Sequence, residues 1–466
     1  MLKIGWSVRD MTPKRPVLLQ GQMHRRIATS ALDPITLTAC ALEGGTPRDC
    51  AILISCDLAM VSESLQAQIR AITRKTIPQV DPEKIFCNAT HTHTSLSIFP
   101  GAYVEPGGKV MTAKQGITYV AKITAAAARE AWESRAPRML ASAFSHAVVG
   151  HNRRAVYADG TTIMYGTTNE PDFAWIEGPA DASLDILFTW TTDGTLDGIV
   201  LAIPCPSQVD ENLNELSADY WHEVRAELRA RFGNDLAVLP LCAAAGDVSP
   251  HVLINNQAEE EMRRRRGVSE RREIAQRVAD AVGRALACTK PAKKDLPFAH
   301  VVRRLSLTPR RVTRKDRDWS ANERQEAVQQ WDKRSWWPAR LQSVVDVFEG
   351  HQKTEPVNAE IHVLRIGDVA IATSPFELYQ DFALRMKARA LAPQLVTVQL
   401  VAGSCMYLPT ERGVQGAGYG SIPVVSEVGP EGGAELVEAT LQIVGDLFPE
   451  KKAPTRKRAE PIKDKK

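Results

Sequence analysis

The chain has 466 residues, 44% of them apolar and 24% charged, so it can bury an ordinary globular core without disulfides and is not disordered as a whole. Its formal charge of +3 comes from the last segment: residues 450–466 hold eight Lys or Arg against three Asp or Glu, which leaves about −2 for everything before them. A nearly neutral body gives no electrostatic footprint for nucleic acid, and there is no run of about 20 apolar residues to span a membrane.

Along the chain, Lys3-Ile4-Gly5-Trp6 reads as a first strand and not as a signal peptide. The eight cysteines (Cys40, Cys50, Cys56, Cys87, Cys205, Cys242, Cys288 and Cys405) are dispersed, several within apolar runs, which suits reduced thiols in a cytoplasmic protein. Short Val/Ile/Leu-rich runs predict strands over 51–56, 84–88, 184–189, 198–203, 236–241, 361–366, 369–373 and 396–402. Helices are predicted over 62–75, 118–135, 218–232, 269–286, 377–390 and 433–447. The alternation implies an α/β domain over 1–449, a mixed β-sheet with flanking helices. Asp159-Gly160, Asp193-Gly194 and Gly367-Asp368 mark hairpins within it. Residues 255–350 differ: the runs Glu259–Glu261 and Arg263–Arg266 predict a solvated helical face, and Trp319, Trp331, Trp336 and Trp337 suggest an excursion packed on the main body. No internal repeat is visible, and 450–466 reads as a disordered basic tail.

Chemistry collects where strands end. Asp57 follows 51–56, and His91-Thr92-His93 follows 84–88. Cys205-Pro206-Ser207-Gln208 follows 198–203, and Gly246-Asp247-Val248-Ser249-Pro250 follows 236–241. Ser374-Pro375-Phe376-Glu377 follows 369–373, and Tyr407 follows 396–402. Carboxyl ends of strands form the ligand crevice of open α/β sheets, so six such strands in one sheet would bring these side chains to one site. His91 and His93, two residues apart in extended chain, present both imidazoles on one face, a metal-ligand geometry. A core histidine held by hydrogen bonds is the competing reading. Asp247 can orient a neighbour and Ser249 can hydrogen-bond or attack a carbonyl, or both simply close a turn. Arg153, after Asn152, can bind an anion or polarise a carbonyl, or lie on the surface.

As an ordered set these pieces resemble the neutral ceramidase family. Gly5-Trp6-Ser7 with Asp10-Met11-Thr12-Pro13 is similar to its amino-terminal start, and Ala89-Thr90-His91-Thr92-His93-Thr94 to its His-Thr-His segment. Asn152-Arg153, Gly246-Asp247-Val248-Ser249-Pro250, Pro375-Phe376-Glu377 and Tyr407-Leu408-Pro409-Thr410 resemble the later motifs, in family order over 1–447. The resemblance implies a zinc-dependent amidase. In it His91, Glu377 and Tyr407 hold the metal, and His93, Arg153 and Ser249 serve catalysis or substrate positioning.

One departure stands out. The family carries a zinc-binding His after the strand that here is 198–203, and this chain has Cys205 in the segment instead. Four readings stay open: Cys205 ligates zinc as a thiolate, His93 takes the vacant place, the metal is lost, or Cys205 is a nucleophile activated by a nearby His. The chain also ends soon after 433–447, without the carboxy-terminal β-sandwich of family ceramidases. The expectation is therefore a metal-dependent hydrolase of a small-molecule amide, or of an ester or sugar-derived bond, with ceramide not the natural substrate. Zn²⁺ would lower the pKa of its water towards about 7. A metal-free Cys205 hydrolase and a non-catalytic small-molecule-binding protein are the alternatives. No oligomeric interface is legible.

Overall fold

The computed structural model describes residues 2–45, 49–291, 296–330 and 336–449. The expected basic tail and Trp331 lie outside the described residues.

Three sheets follow one plan. The first comprises β1 (Lys3–Asp10), β2 (Thr36–Glu43), β3 (Cys50–Cys56), helix α1 (Glu63–Thr76) and β4 (Ile85–Ala89), followed by α2 (Ala113–Glu133). The second comprises β5 (Met139–His146), β6 (Ser183–Trp190), β7 (Leu196–Ile203), α3 (Tyr220–Phe232) and β8 (Ala237–Cys242), followed by α4 (Glu270–Ala287). The third comprises β9 (Phe298–Leu307), β10 (Val357–Ile366), β11 (Val369–Thr373), α5 (Gln380–Arg389) and β12 (Gln394–Val398), followed by α6 (Pro430–Leu447). Each sheet runs in the order fourth, third, second, first strand, and the first adds a two-residue fifth strand, Ala136–Pro137, antiparallel to β1. In each, the third and fourth strands are parallel and the others antiparallel. A parallel pair needs a crossover, supplied by α1, α3 and α5, and each crossover helix packs beside the helix that follows its sheet.

The α/β class with mixed sheets is as expected, but the six reactive strands do not share one sheet; they are the parallel pairs of three. The absence of an internal repeat is corrected too: what repeats is topology. It escaped the sequence because β2, β5 and β9 were not recognised as strands. The last two lie at sheet edges and are mostly half-buried or exposed, which dilutes their apolar signal.

Packing explains the strands' composition. In β3, Cys50, Ile52, Ile54 and Cys56 face the core under α1 and α2, while Ala51 and Leu53 face a central core shared with Leu239, Leu241, Leu364, Ile371 and Val396 of the other sheets. Strands covered on both faces must be apolar at every position. The second and third sheets each bury an outer face in the same way.

Helix ends obey capping chemistry. Ser62 and Ser269, read as first helical residues, are N-caps whose side chains accept from the Leu65 and Arg272 amides. Helix α2 begins five residues earlier than the expected 118, at Ala113, because Thr112 and Gln115 form a capping box. Gly116, in its first turn, leaves room for the Ser97 carbonyl, from which a Cβ would stand only 2.7 Å away. The run Arg263–Arg266 lies, as expected, on a helix with no buried residue, Asn256–Arg266. Trp337 is buried in the third core and Trp336 packs against it, whereas Trp319 is exposed. All eight cysteines are free, and Cys40, Cys50, Cys56, Cys87, Cys205 and Cys242 are buried. No helix among the described residues is long and apolar enough to cross a membrane.

A buried polar joint ties the third sheet to the first. His300 Nε2 lies 3.0 Å from His362 Nδ1, His362 Nε2 lies 3.1 Å from Glu360, and Phe86 stacks on His362 at 4.3 Å. Burial pushes both imidazoles below their ordinary value, His300 well below. The unfolded chain therefore takes up protons near pH 6.5 that the folded chain refuses, so this contribution to stability is intact above that pH and declines as pH falls. Urea-unfolding midpoints are expected to drop between pH 7.5 and pH 5. A His300→Gln/His362→Gln double variant should drop less over the same interval; parallel curves for the two proteins would refute the joint's role.

Candidate functional site

The carboxyl ends of the three parallel pairs meet. Bridges between Asn88 and Val401, and between Ala243 and Val398, link the strand ends of different sheets, and the Ser207 amide donates to the Thr90 carbonyl (3.3 Å). Backbone strain concentrates here: His91 (φ 62°), Leu400 (58°), Ala402 (59°) and Met406 (55°) are non-glycine residues in the left-handed region, a conformation that surrounding structure must hold in place. For this reason the expected strand 396–402 ends at Val398.

Glu377 is not helical, as 377–390 had suggested. It pairs in register with Tyr407 in a two-residue parallel ladder, and its amide donates to the Met406 carbonyl (2.7 Å). Helix α5 starts at Gln380, whose amide donates to Asp247 Oδ1 (2.9 Å). Asp247 thus caps a helix from another segment, while its Oδ2 accepts from Asn152 (2.9 Å). Burial raises its carboxyl to about 6. The expected orienting role of Asp247 rests on these two contacts.

His91, Glu377, Tyr407 and Arg153 come together. His91 Nδ1 bonds the Ala59 carbonyl and its Nε2 lies 3.2 Å from Glu377 Oε2. Arg153 Nη2 donates to the Gly246 carbonyl (3.0 Å) and to the Tyr407 hydroxyl (3.2 Å). Burial favours a neutral Glu377, but His91, Tyr407 and Arg153 together hold its carboxyl below the ordinary value. Burial likewise opposes the Arg153 charge, yet Tyr407, Tyr165 and Glu377 keep it well above its usual value. Burial and then Glu377 push the Tyr407 phenol well up.

His93 stands edge-on to His91, ring centroids 5.0 Å apart. Its Nδ1 lies 3.0 Å from Glu211 Oε2, close but out of line for a hydrogen bond, and the Gln208 amide contacts its Nε2 at 2.8 Å. Burial lowers the imidazole below its ordinary value against the pull of Glu211. Gly21 (φ +117°) passes directly behind the ring, where any Cβ would fall 2.3 Å from His93 Cγ. Glu211 also faces His251 (3.3 Å), and Ser249 Oγ accepts from the His251 amide (3.2 Å). Ser249 therefore sits at the edge of this cluster, fully buried.

Cys205 does not join the group. Its thiol belongs to the outer core of the second sheet, beside Tyr220 and Trp221, and burial raises it well above the ordinary thiol value. Among the described residues no three His, Cys, Asp or Glu side chains gather to hold a metal ion. What gathers is one imidazole, one carboxylate and one phenol. The Ala59 carbonyl holds His91 Nδ1, which leaves Nε2 turned towards the Glu377 carboxylate. Two ligands about 2.0–2.1 Å from a tetrahedral ion stand roughly 3.3 Å apart, close to the 3.2 Å found. A ring N–H given to a backbone carbonyl is also how ligating histidines are oriented. The donor set fits a divalent cation with His91, Glu377 and Tyr407 as ligands.

Sequence reading missed Glu211, His251, Tyr165 and Tyr419, the last lying 5.6 Å from the Tyr407 ring. None belongs to a motif of its own. Gln208 stood in a segment already singled out, next to Cys205, but its role was not read.

This architecture is a neutral ceramidase-like α/β fold. It matches the crystal structure of neutral ceramidase from Pseudomonas aeruginosa with a TM-score of 0.70 at 14% identity, covering 96% of this chain and 74% of that one. It matches equally a ceramidase complexed with C2 (0.70, 14%, 96% and 75%). No protein-family model matches the chain, and neither does any curated protein.

Proposed function

We propose that the protein is a hydrolase that cleaves an amide bond, or less readily an ester or sugar-derived bond, of a small molecule, with a divalent cation, Zn²⁺ by the family's example, held by His91, Glu377 and Tyr407. The observation that carries this reading is the convergence of these three donors with Arg153 at the ends of three parallel strand pairs, on a fold shared with solved ceramidases. A cation bound there supplies Lewis acidity and a water acidic enough to ionise near neutral pH.

The protein's own groups do the rest. Arg153 has five N–H donors, three of which go to Gly246, Tyr407 and Tyr165; those left over stabilise the oxyanion that forms as the carbonyl is attacked. His93 serves as the proton carrier, with the Glu211 carboxylate 3.0 Å from its Nδ1 and the Gln208 amide held against its Nε2. Asp247 holds the Asn152-Arg153 turn against helix α5, and Ser249 positions the scissile group. The groups gathered around His93, namely Glu211 with His251 behind it and Gln208, are polar, which favours a polar amide over ceramide. The resting thiol of Cys205, buried among apolar side chains, disfavours the cysteine-hydrolase alternative.

The test is a panel of chromogenic anilides, nitrophenyl esters and glycosides, assayed with and without a chelator. Hydrolysis of an anilide that stops on chelation and returns with added Zn²⁺ is expected. A protein inert on every substrate, or one whose activity ignores the chelator and vanishes in Cys205→Ser, would defeat the reading.

A further inference from the structure

We propose that Gln208, through its carboxamide oxygen, is the fourth protein donor of the cation site formed with His91, Glu377 and Tyr407. The inference rests on the cation reading of that site and names the residue that stands in for the missing imidazole.

Gln208 is 1% exposed, and its Oε1 is buried without a hydrogen-bond partner. An amide oxygen left unpaired in a protein interior is costly, so a group kept in that state calls for an occupant. The other end of the same amide is engaged, its Nε2 lying 2.8 Å from His93 Nε2, which fixes the side chain beside His93, whose ring stands 5.0 Å from that of His91. The backbone agrees. Ser207 donates to the carbonyl of Thr90, so Gln208 and His91 each follow directly from a bonded pair of residues. Cys205, three positions earlier, is turned into the outer core instead. The segment after β7 thus still delivers a donor to the site, but a carboxamide oxygen in place of a thiolate.

The resulting set has one nitrogen and three oxygens. Amide and carboxylate oxygens are hard donors that suit Mn²⁺ and Mg²⁺ better than a set with two imidazoles does. The chain should therefore discriminate less strongly between zinc and manganese than a variant with a second histidine.

The experiment is calorimetric titration of the chelator-stripped full chain with Zn²⁺ and with Mn²⁺ alone, with circular dichroism as a check on folding. The wild type should bind about one cation. Gln208→Ala should weaken both cations about tenfold or more, as loss of even outer groups around a metal commonly does. Gln208→His should shift the preference towards zinc, and Cys205→Ser should bind like the wild type. If Gln208→Ala binds as tightly as the wild type while His91→Ala does not bind, the inference is overturned and the cation reading stands. If Gln208→Ala does not fold, an unchanged zinc-to-manganese preference in Gln208→His overturns the inference instead. A wild type that takes up neither cation overturns both.

Discussion

Replacing His91 with Ala should remove bound cation and hydrolytic activity together, the latter by more than about 100-fold, since ligand loss exceeds the 10–100-fold cost of losing an outer group. The fold should survive. His91 contributes one hydrogen bond to Ala59 and one contact to Glu377, each worth on the order of 1 kcal/mol net in a chain this size. The backbone adds a complication, because His91 sits at φ 62° and Ala tolerates the left-handed region poorly. His91→Asn, which adopts it more readily, separates the two effects: it should unfold like the wild type and still bind no cation. Elemental analysis, turnover and thermal melting of both variants decide the matter. Cation retained at wild-type stoichiometry in His91→Asn would remove His91 from the ligand set.

Much of the fold was legible because its strands are buried on both faces. A strand such as β11, Val369–Thr373, is apolar at every position but its last, and its predicted bounds are the observed ones. Strands with one open face were harder. β5 alternates half-buried and exposed residues after its first two positions, and without it and β9 the threefold order of the sheets has no trace in the sequence. Boundaries failed where tertiary contacts outweigh local preference. Glu377 has a helix former's side chain, yet it is held extended by the ladder with Tyr407, and the helix waits for the Asp247 cap.

The site divides along the same line. His91, Glu377, Tyr407 and Arg153 were identifiable because each follows a recognisable strand or turn, and strand ends converge in this class of fold. That three sheets and not one supply those ends changed nothing for these residues. The second layer was hidden. Glu211 reaches His93 from 118 positions away in a segment with no motif, and Gly21 matters only because the His93 ring occupies the space of its absent Cβ. Cys205 shows the converse: the residue in the expected place carries the right chemistry for zinc, but the turn after β7 points its thiol into the core, and no spacing rule reports that direction.

Substituting Arg153 should separate chemistry from binding. Its guanidinium is nearly inaccessible to solvent (5% exposed) and permanently charged, and beyond the N–H groups given to Gly246, Tyr407 and Tyr165 it keeps further donors. If they stabilise a developing oxyanion, Arg153→Ala should lower kcat about 10²–10³-fold, the cost of one preorganised donor elsewhere, with KM changed far less. Arg153→Lys keeps the charge but not the planar fork, and it cannot span Gly246 and Tyr407 while also reaching substrate, so it should recover only part of the loss. Cation stoichiometry should stay at the wild-type level in both variants, because Arg153 contacts Tyr407 from outside the donor set. A kcat within about threefold of the wild type in Arg153→Ala would rule out the oxyanion role. A fall in cation content would instead make Arg153 a support for Tyr407, acting through the ligand and not on the substrate.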